Sequence, residues 1–226
     1  MTEIERFTPD MRGRIAYEHR HRYALCVEIA AKKDVLDIAC GEGYGAQMLA
    51  AKAMRVVGVD IDAATIKLAK KTYGGNKRLK FETASCLSLP FPDHSFDVVV
   101  SFETIEHIAE HEAFLAEVSR VLRKDGVFIV STPNRPVYSE SSGQKNIFHK
   151  KELDEAELRG LLAREFKRVQ LLGQRFYIPS VIGLLADDAP RAKKELAASL
   201  ISQTAGTSAI EAGGASSANS PITEGM

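Results

Sequence analysis

The segment "DIACGEGYGA", residues 37–46, constrains the fold of this chain more than any other stretch. Three glycines stand at alternate positions directly after an apolar run. Glycine has no Cβ and accepts positive φ angles, so a loop of this kind lets the backbone approach a ligand closely. The ligand can be a dinucleotide pyrophosphate, a nucleoside triphosphate or a molecule without phosphate, and the surrounding sequence decides between them.

Apolar strands alternate with helical segments along the chain. The run "SFDVVVSF" at 95–102 is continuously apolar at its centre, as in strands buried on both faces of a parallel sheet. This alternation predicts an α/β fold with a doubly wound, mostly parallel, Rossmann-like sheet flanked by helices, whose ligand lies beyond the carboxyl ends of the strands. The predicted strands are 34–39, 55–61, 78–85, 95–102, 127–133 and 167–174, and the predicted helices are 16–32, 46–53, 62–73, 109–126 and 151–166.

The C-terminal part of the chain has a different composition. Residues 176–202 are interpreted as two short helices. Residues 203–226 are rich in Ala, Gly and Ser with few large apolar side chains, which predicts a disordered tail. A chain of 226 residues with 45% hydrophobic content can bury one substantial core. We therefore expect one domain over residues 1–202, followed by the tail.

Charge and cysteine usage exclude several classes of protein. Thirty basic residues balance thirty acidic ones, so no net field would attract nucleic acid, which is not expected as a partner. The three cysteines form no C-x-x-C pair, which argues against structural zinc and disulfides and favours a reducing compartment. The charged start is no secretory signal, and no apolar run is long enough to span a membrane. We expect a soluble cytoplasmic protein, whose oligomeric state stays unknown.

The glycine loop fits two ligand-binding patterns. Gly41, Gly43 and Ala46 match the dinucleotide pattern G-x-G-x-x-G/A, with Asp60 nineteen residues after Gly41 as a ribose-binding acid. Gly41, Gly43 and Gly45 equally match the G-x-G-x-G loop of nucleoside-dependent methyl transfer. A triphosphate loop is excluded because no Gly-Lys-Ser/Thr follows. An NAD(P)-dependent oxidoreductase is therefore one hypothesis, and a methyltransferase is the other.

Stretches outside the loop favour the methyltransferase. The chain resembles the class I S-adenosylmethionine-dependent methyltransferases that act mainly on small molecules (the methyltransferase domain 11 type). The resemblance covers residues 10–175 and implies S-adenosylmethionine as cofactor. The segments that carry it are "DIACGEG" at 37–43, "GVDID" at 58–62, "LPFPDHSFDVV" at 89–99, "EHI" at 106–108 and "EVSRVLRKDGVFIVSTPN" at 117–134.

The resemblance also implies the cofactor site. Asp37 and the glycine-loop backbone would surround the methionine part, Asp60 would hold the ribose hydroxyls, and Ile61 would flank the adenine. Many relatives have an aspartate where Ser85 stands, and a serine can accept a hydrogen bond there only without charge assistance. The implied cofactor-binding residues are Asp37, Gly41, Gly43, Gly45, Asp60, Ile61, Ser85, Cys86, Leu87, Ser101 and Phe102.

Two histidines are the candidate catalytic residues. Methyl transfer from a sulfonium is an in-line displacement, and an acceptor hydroxyl additionally needs a base. His107 follows the fourth strand in "SFETIEHI", where strand ends point into the cleft, and His149 lies at the exit of the loop 134–150. A metal site is not predicted, because His19 and His21 diverge on a helix.

The acceptor is the least constrained part of the hypothesis. The helix 15–33 would act as a lid that brings Tyr17 or Arg22 to the ligand, and the loop 134–150 would line the acceptor site with Tyr138. We assign Tyr17 and Tyr138 to substrate binding. "YEHRHRY", "SFETIEH" and "FHKKEL" look like methyltransferases of sugar or polysaccharide pathways. A small-molecule hydroxyl or amine is thus the predicted acceptor; a quinone or lipid acceptor and a non-enzymatic binding scaffold are alternatives.

Overall fold

A computed structural model describes residues 8–141, 143 and 146–175, and the backbone of 181–184. The helices are α1 Arg14–Ile29, α2 Tyr44–Leu49, α3 Ala63–Tyr73, α4 His111–Val121 and α5 Glu155–Glu165. The strands are β1 Asp34–Ile38, β2 Arg55–Asp60, β3 Leu79–Thr83, β4 Phe96–Phe102, β5 Leu122–Ser131, β6 Leu172–Arg175 and β7 Val181–Leu184. A 3₁₀ turn covers Ile105–His107 and a π-helical turn covers Pro136–Glu140. None of the described helices combines the length and the apolar character that crossing a bilayer requires.

Strands β1 to β5 form one parallel sheet in the order β3-β2-β1-β4-β5. The chain winds outward from β1 through β2 to β3 and then returns to place β4 on the other side of β1. This reversal makes the β1–β4 boundary the topological switch point, where open α/β sheets bind their ligands. All five residues of β1 are buried, as expected of a central strand covered on both faces. The predicted α/β fold is confirmed.

Helix α4 is shorter than predicted. The apolar face of Phe114, Leu115 and Val118 is buried, but the helix ends at Val121 rather than at Gly126. Leu122 already pairs with Phe96 of β4, and the register then jumps to Val98↔Val127. Pairing with β4 therefore replaces the last helical turn, and the Arg123 guanidinium next to it lies 3.1 Å from Asp34 and 2.7 Å from Asp97.

The end of the chain also differs from prediction. The chain divides into two compact units after Val169, and the second contains β6 and β7, which pair antiparallel as a separate two-stranded sheet. The strand predicted at 167–174 begins only at Leu172, and 181–184 is a strand where a helix was expected. The rest of 176–202, and the tail 203–226, lie outside the described residues. The domain boundary at residue 202 stays a prediction.

Aromatic side chains of the protein itself fill the space beside the glycine loop. The buried Tyr23 ring of α1 packs edge-on against Phe102 (4.9 Å between centroids) and Tyr44 (5.3 Å). A Cβ at Gly45 would lie 2.0 Å from the Tyr23 ring. A Cβ at Gly43, which has a φ of +84°, would lie 2.6 Å from the Phe81 ring. Internal packing therefore requires the second and third glycines.

Candidate functional site

Asp60 ends β2 with its carboxylate held by backbone groups. The Gly41 N–H donates to Oδ2 at 3.0 Å and the Asp62 N–H donates to Oδ1 at 2.9 Å. A carboxylate oxygen can accept more than one hydrogen bond. The side chain is largely buried, so its orientation is fixed before any ligand arrives. The fixed carboxylate can accept two hydroxyl groups of a ribose.

The segment predicted to edge the adenine forms a tight turn after β3. The Leu87 N–H donates to the Ser85 hydroxyl at 3.2 Å. Burial raises the pKa of the Cys86 thiol to about 11, so the group is a neutral thiol and no nucleophile at physiological pH. Ile61, directly after Asp60, is 68% exposed and presents an apolar surface at this edge of the sheet. These features suit the flat, apolar faces of a purine.

Asp37 is a buried carboxyl group in the central strand. The Tyr23 hydroxyl contacts both of its oxygens, at 3.1 and 3.3 Å, and donates to one of them. Burial, opposed by the Tyr23 hydrogen bond and reinforced by the nearby Asp60 charge, raises the pKa of Asp37 to about 8. A buried carboxyl group with a raised pKa ionises readily when a cation is placed beside it. Asp37 is thus suited to a positively charged ligand.

The carboxyl end of β4 contributes a buried polar group at the switch point. The Ser101 hydroxyl is fully buried, and no described residue gives it a hydrogen-bond partner. Buried polar atoms are nearly always paired, so this hydroxyl is a candidate to hydrogen-bond a bound ligand. Next to Phe102, Glu103 adopts a φ of +50°, and its carboxylate accepts from the Ser131 hydroxyl at 2.7 Å and pairs with Arg22 of α1 at 3.1 Å.

Beyond β4, the chain brings the two predicted catalytic histidines together. The rings of His107 and His149 lie 5.0 Å apart between centroids, edge to face. The backbone carbonyl of Glu106 accepts from Lys150 N at 2.8 Å and Lys151 N at 3.1 Å, which holds the exit of the loop against the 3₁₀ turn. One ligand atom each from Glu106, His107 and His149 lie within 4.8 Å of one another. No sequence motif predicts this cluster.

The Glu106 side chain is almost completely buried. Its Oε2 accepts from the Thr132 hydroxyl at 3.1 Å, whereas Oε1 has no hydrogen-bond partner among the described residues. Burial, together with the Glu103 charge, raises the pKa of Glu106 to about 8. Glu106 directly precedes His107 in the segment "ETIEHI", and the sequence analysis assigns a catalytic role to His107 alone.

His149 is oriented by polar neighbours on the loop. Its Nδ1 lies 2.7 Å from Glu152 Oε1, and its Nε2 lies 3.2 Å from the Asn146 amide nitrogen. The ring of Tyr138, predicted to bind substrate, lies 5.5 Å from that of His149. Tyr138 therefore lies beside His149, one of the two predicted catalytic residues. Glu152 was missed because its role depends on contact with His149 and not on a motif.

Tyr17, the other predicted substrate residue, lies elsewhere on α1. It is half-exposed and packs against His21, with 5.9 Å between ring centroids, in a surface groove that Met11 and Met48 also line. Tyr23, not Tyr17, is the tyrosine of α1 that reaches Asp37. The substrate role of Tyr17 stays a prediction.

The sequence of this chain is similar to those of known methyltransferases. Residues 36–130 match the profile of a family described as "Methyltransferase domain". A Mycolicibacterium smegmatis protein named a probable S-adenosylmethionine-dependent methyltransferase is 42% identical over 161 residues, 70% of this chain and 62% of that protein. A Mycobacterium tuberculosis phthiotriol/phenolphthiotriol dimycocerosates methyltransferase is 40% identical over 110 residues, 48% of this chain and 40% of that protein.

A solved structure gives the same picture of the fold. The YcgJ protein from Bacillus subtilis superposes with a TM-score of 0.59 at 25% sequence identity, over 70% of each chain. The chain spans about three fifths of the length of the first curated relative named above. None of these relatives supports the nicotinamide-dependent alternative.

Proposed function

We propose that this chain, in which residues 36–130 match a methyltransferase domain family, transfers a methyl group from S-adenosylmethionine to a hydroxyl or amine of a small-molecule acceptor. The observation that carries the proposal is the fixed Asp60 carboxylate beside the switch point. When bound there, S-adenosylmethionine supplies a methyl group activated by its sulfonium charge. The buried Ser101 hydroxyl, which has no hydrogen-bond partner among the described residues, and the exposed Ile61 fit a ligand at this edge.

Three acidic side chains have different roles in the proposed cofactor site. Asp60 accepts the ribose hydroxyls while the Gly41 and Asp62 N–H groups keep its carboxylate in place. Asp37, buried behind the loop, provides a counter-charge for the cationic methionine end. Glu103 links the end of β4 to α1 through its ion pair with Arg22, which holds that helix beside the cofactor edge.

The acceptor would be activated beyond the end of β4. His107 and His149 face each other there, and Tyr138 closes one side of the space. A hydroxyl oxygen placed among these imidazoles can lose its proton as it attacks the methyl carbon. This arrangement favours a hydroxyl over an amine, because a neutral amine needs no base.

Two acceptor classes fit different features of the loop 134–150. Tyr138 lies beside His149, and Ser139 donates to the Glu152 carboxylate that also contacts His149, so these hydroxyl groups suit a sugar or polysaccharide precursor. Val137 and Ile147 are 64% and 86% exposed, and this apolar surface suits the second candidate, a lipid or quinone acceptor. The relative that is named for a lipid-type acceptor belongs with the second candidate.

We expect cofactor binding to release a proton from Asp37. Its pKa of about 8 in the free protein would fall beside a cation, so affinity for S-adenosylmethionine should rise with pH below about 8, by at most about tenfold per pH unit. In the free protein, the folded state holds this proton more tightly than the unfolded state, so the free energy of unfolding falls as pH rises from about 4 to about 8.

Calorimetry checks this proton release. The observed binding enthalpy at pH 7 should differ between phosphate and Tris buffers, because their ionisation enthalpies differ. Asp37→Asn is the matched control, since it removes the titrating carboxyl group and keeps the size of the side chain. Equal buffer dependence in the wild type and in Asp37→Asn would show that Asp37 does not exchange the proton.

An acceptor screen tests the proposed function itself. The protein is incubated with S-adenosylmethionine and a panel of nucleotide sugars, glycolipids, quinols and amines. We expect S-adenosylhomocysteine to appear together with a product heavier by one CH₂ unit, as detected by mass spectrometry. Binding of S-adenosylhomocysteine without any turnover would instead favour the scaffold alternative, and binding of NAD(H) alone would refute the proposal.

A further inference from the structure

The side chains of Glu106, His107 and His149, which we call the Glu–His–His cluster, have the composition of a metal site. We propose that this cluster binds one divalent transition-metal ion and that the ion activates the acceptor hydroxyl. The activating role, unlike the binding, rests on the proposed function.

The donor set and its spacing support the inference. Two imidazole nitrogens and one carboxylate oxygen are ligands that zinc and neighbouring divalent metals accept together. The three ligand atoms lie within 4.8 Å of one another. Donors sit about 2 Å from a bound zinc ion, so small side-chain rotations bring all three around one ion.

The hydrogen bonds to the Nδ1 atoms of the two histidines resemble those that orient histidine ligands in metal sites. His107 Nδ1 lies 3.0 Å from the carbonyl oxygen of Phe148, and His149 Nδ1 lies 2.7 Å from the Glu152 carboxylate. A carbonyl or carboxylate oxygen only accepts, so each Nδ1 carries the proton and each Nε2 is left as the lone-pair nitrogen. Metal-binding histidines are commonly fixed in this way by a carbonyl or carboxylate on the opposite ring nitrogen.

The buried Glu106 side chain has one oxygen available to a metal ion. Glu106 is 1% exposed, and its Oε1 has no hydrogen-bond partner in the part of the chain that the structure describes. A buried carboxylate oxygen is costly unless something pairs with it. Thr132 fixes Oε2, so Oε1 is the oxygen that remains for a cation.

Three protein ligands leave coordination positions for the acceptor. The lone pair of His149 Nε2 now faces the Asn146 amide at 3.2 Å, and the cation would replace that hydrogen bond. An acceptor hydroxyl bound to the ion becomes more acidic and loses its proton to water. Its oxygen then forms the C–O bond as the C–S bond breaks, which yields a methyl ether, S-adenosylhomocysteine and one proton, with no change of oxidation state.

The test measures zinc binding on the full chain after treatment with a chelator and dialysis. We expect one Zn²⁺ per chain in equilibrium dialysis, with affinity lowered about 100-fold or more in Glu106→Gln and in His149→Ala. Glu112→Gln, which changes an exposed acid of α4, is the matched control and should bind Zn²⁺ as the wild type does. With Co²⁺ as the probe, the wild type should show a ligand-field absorption band that both cluster variants lack.

The outcomes separate this inference from the proposed function. Zinc binding that is equally weak, or equally tight, in the wild type and in both cluster variants would overturn the metal site, even if S-adenosylhomocysteine still binds. Zinc bound as expected, with turnover unaffected by chelation, would overturn the activating role and leave an imidazole as the base. Zinc bound as expected, without any methyl transfer, would refute the proposed function and retain the site.

Discussion

Replacing Asp60 by Ala should weaken S-adenosylhomocysteine binding by at least about 100-fold. Two charge-assisted hydrogen bonds to the ribose would be lost, each contributing about 1.5–3 kcal/mol. The carboxylate is already held by two backbone N–H groups, so it needs little reorganisation when the ligand arrives. Isothermal titration calorimetry with S-adenosylhomocysteine gives the dissociation constant directly.

Asp62→Ala is the control for this variant. Asp62 lies two residues further along and caps α3, where its side chain accepts from the Ala64 N–H at 2.9 Å. Loss of the cap should lower the free energy of unfolding by about 1 kcal/mol without changing affinity for the ligand. Asp60→Asn keeps the size of the side chain and guards against a folding defect in Asp60→Ala. Unchanged affinity in folded Asp60→Ala and Asp60→Asn would remove the basis of the proposed cofactor site.

Replacing His107 by Asn should reduce kcat about 10²- to 10⁴-fold and leave S-adenosylhomocysteine binding intact. The effect has the size expected when a group that activates the acceptor is lost. An Asn amide can still donate to the Phe148 carbonyl as His107 Nδ1 does, so the local fold is retained while Nε2 is removed. Steady-state kinetics with the acceptor found in the screen measure kcat and KM separately.

His94→Asn is the matched substitution at the opposite edge of the sheet. His94 precedes β4, and its Nδ1 bonds the Leu122 carbonyl at 2.9 Å. Asn tolerates the positive φ of this position, so the fold and kcat should both be preserved. A kcat of His107→Asn equal to that of the wild type at saturating acceptor would exclude the residue from catalysis.

Much of the sheet could be predicted from local sequence. The apolar runs before Asp60 and around Val99 gave strands within a residue of those observed, because central parallel strands are apolar on both faces. The end of α4 could not be predicted in this way. Helical periodicity continues past Val121, but Leu122 is extended and pairs with Phe96 of β4, which is distant in sequence.

In the candidate site, too, some features could be predicted from local sequence and others depend on distant contacts. Spacing from the glycine loop points to Asp60, whose carboxylate accepts from the Gly41 N–H, and its ribose-binding role stays a prediction. The methyltransferase resemblance is confirmed by the relatives. The contact between His107 and His149, which are 42 positions apart, depends on the backbone bonds from Lys150 and Lys151 to Glu106. A contact between residues so far apart in sequence leaves no periodicity or motif, so the Glu–His–His cluster could be found only from the structure.

The fit between Gly45 and the Tyr23 ring has an evolutionary consequence. Any larger residue at position 45 requires a smaller one at position 23, so we expect substitutions at the two positions to be correlated among homologues. A homologue that has lost the aromatic ring from its first helix is free to abandon the third glycine and still hold its ligand. Searches that insist on that glycine would overlook such proteins.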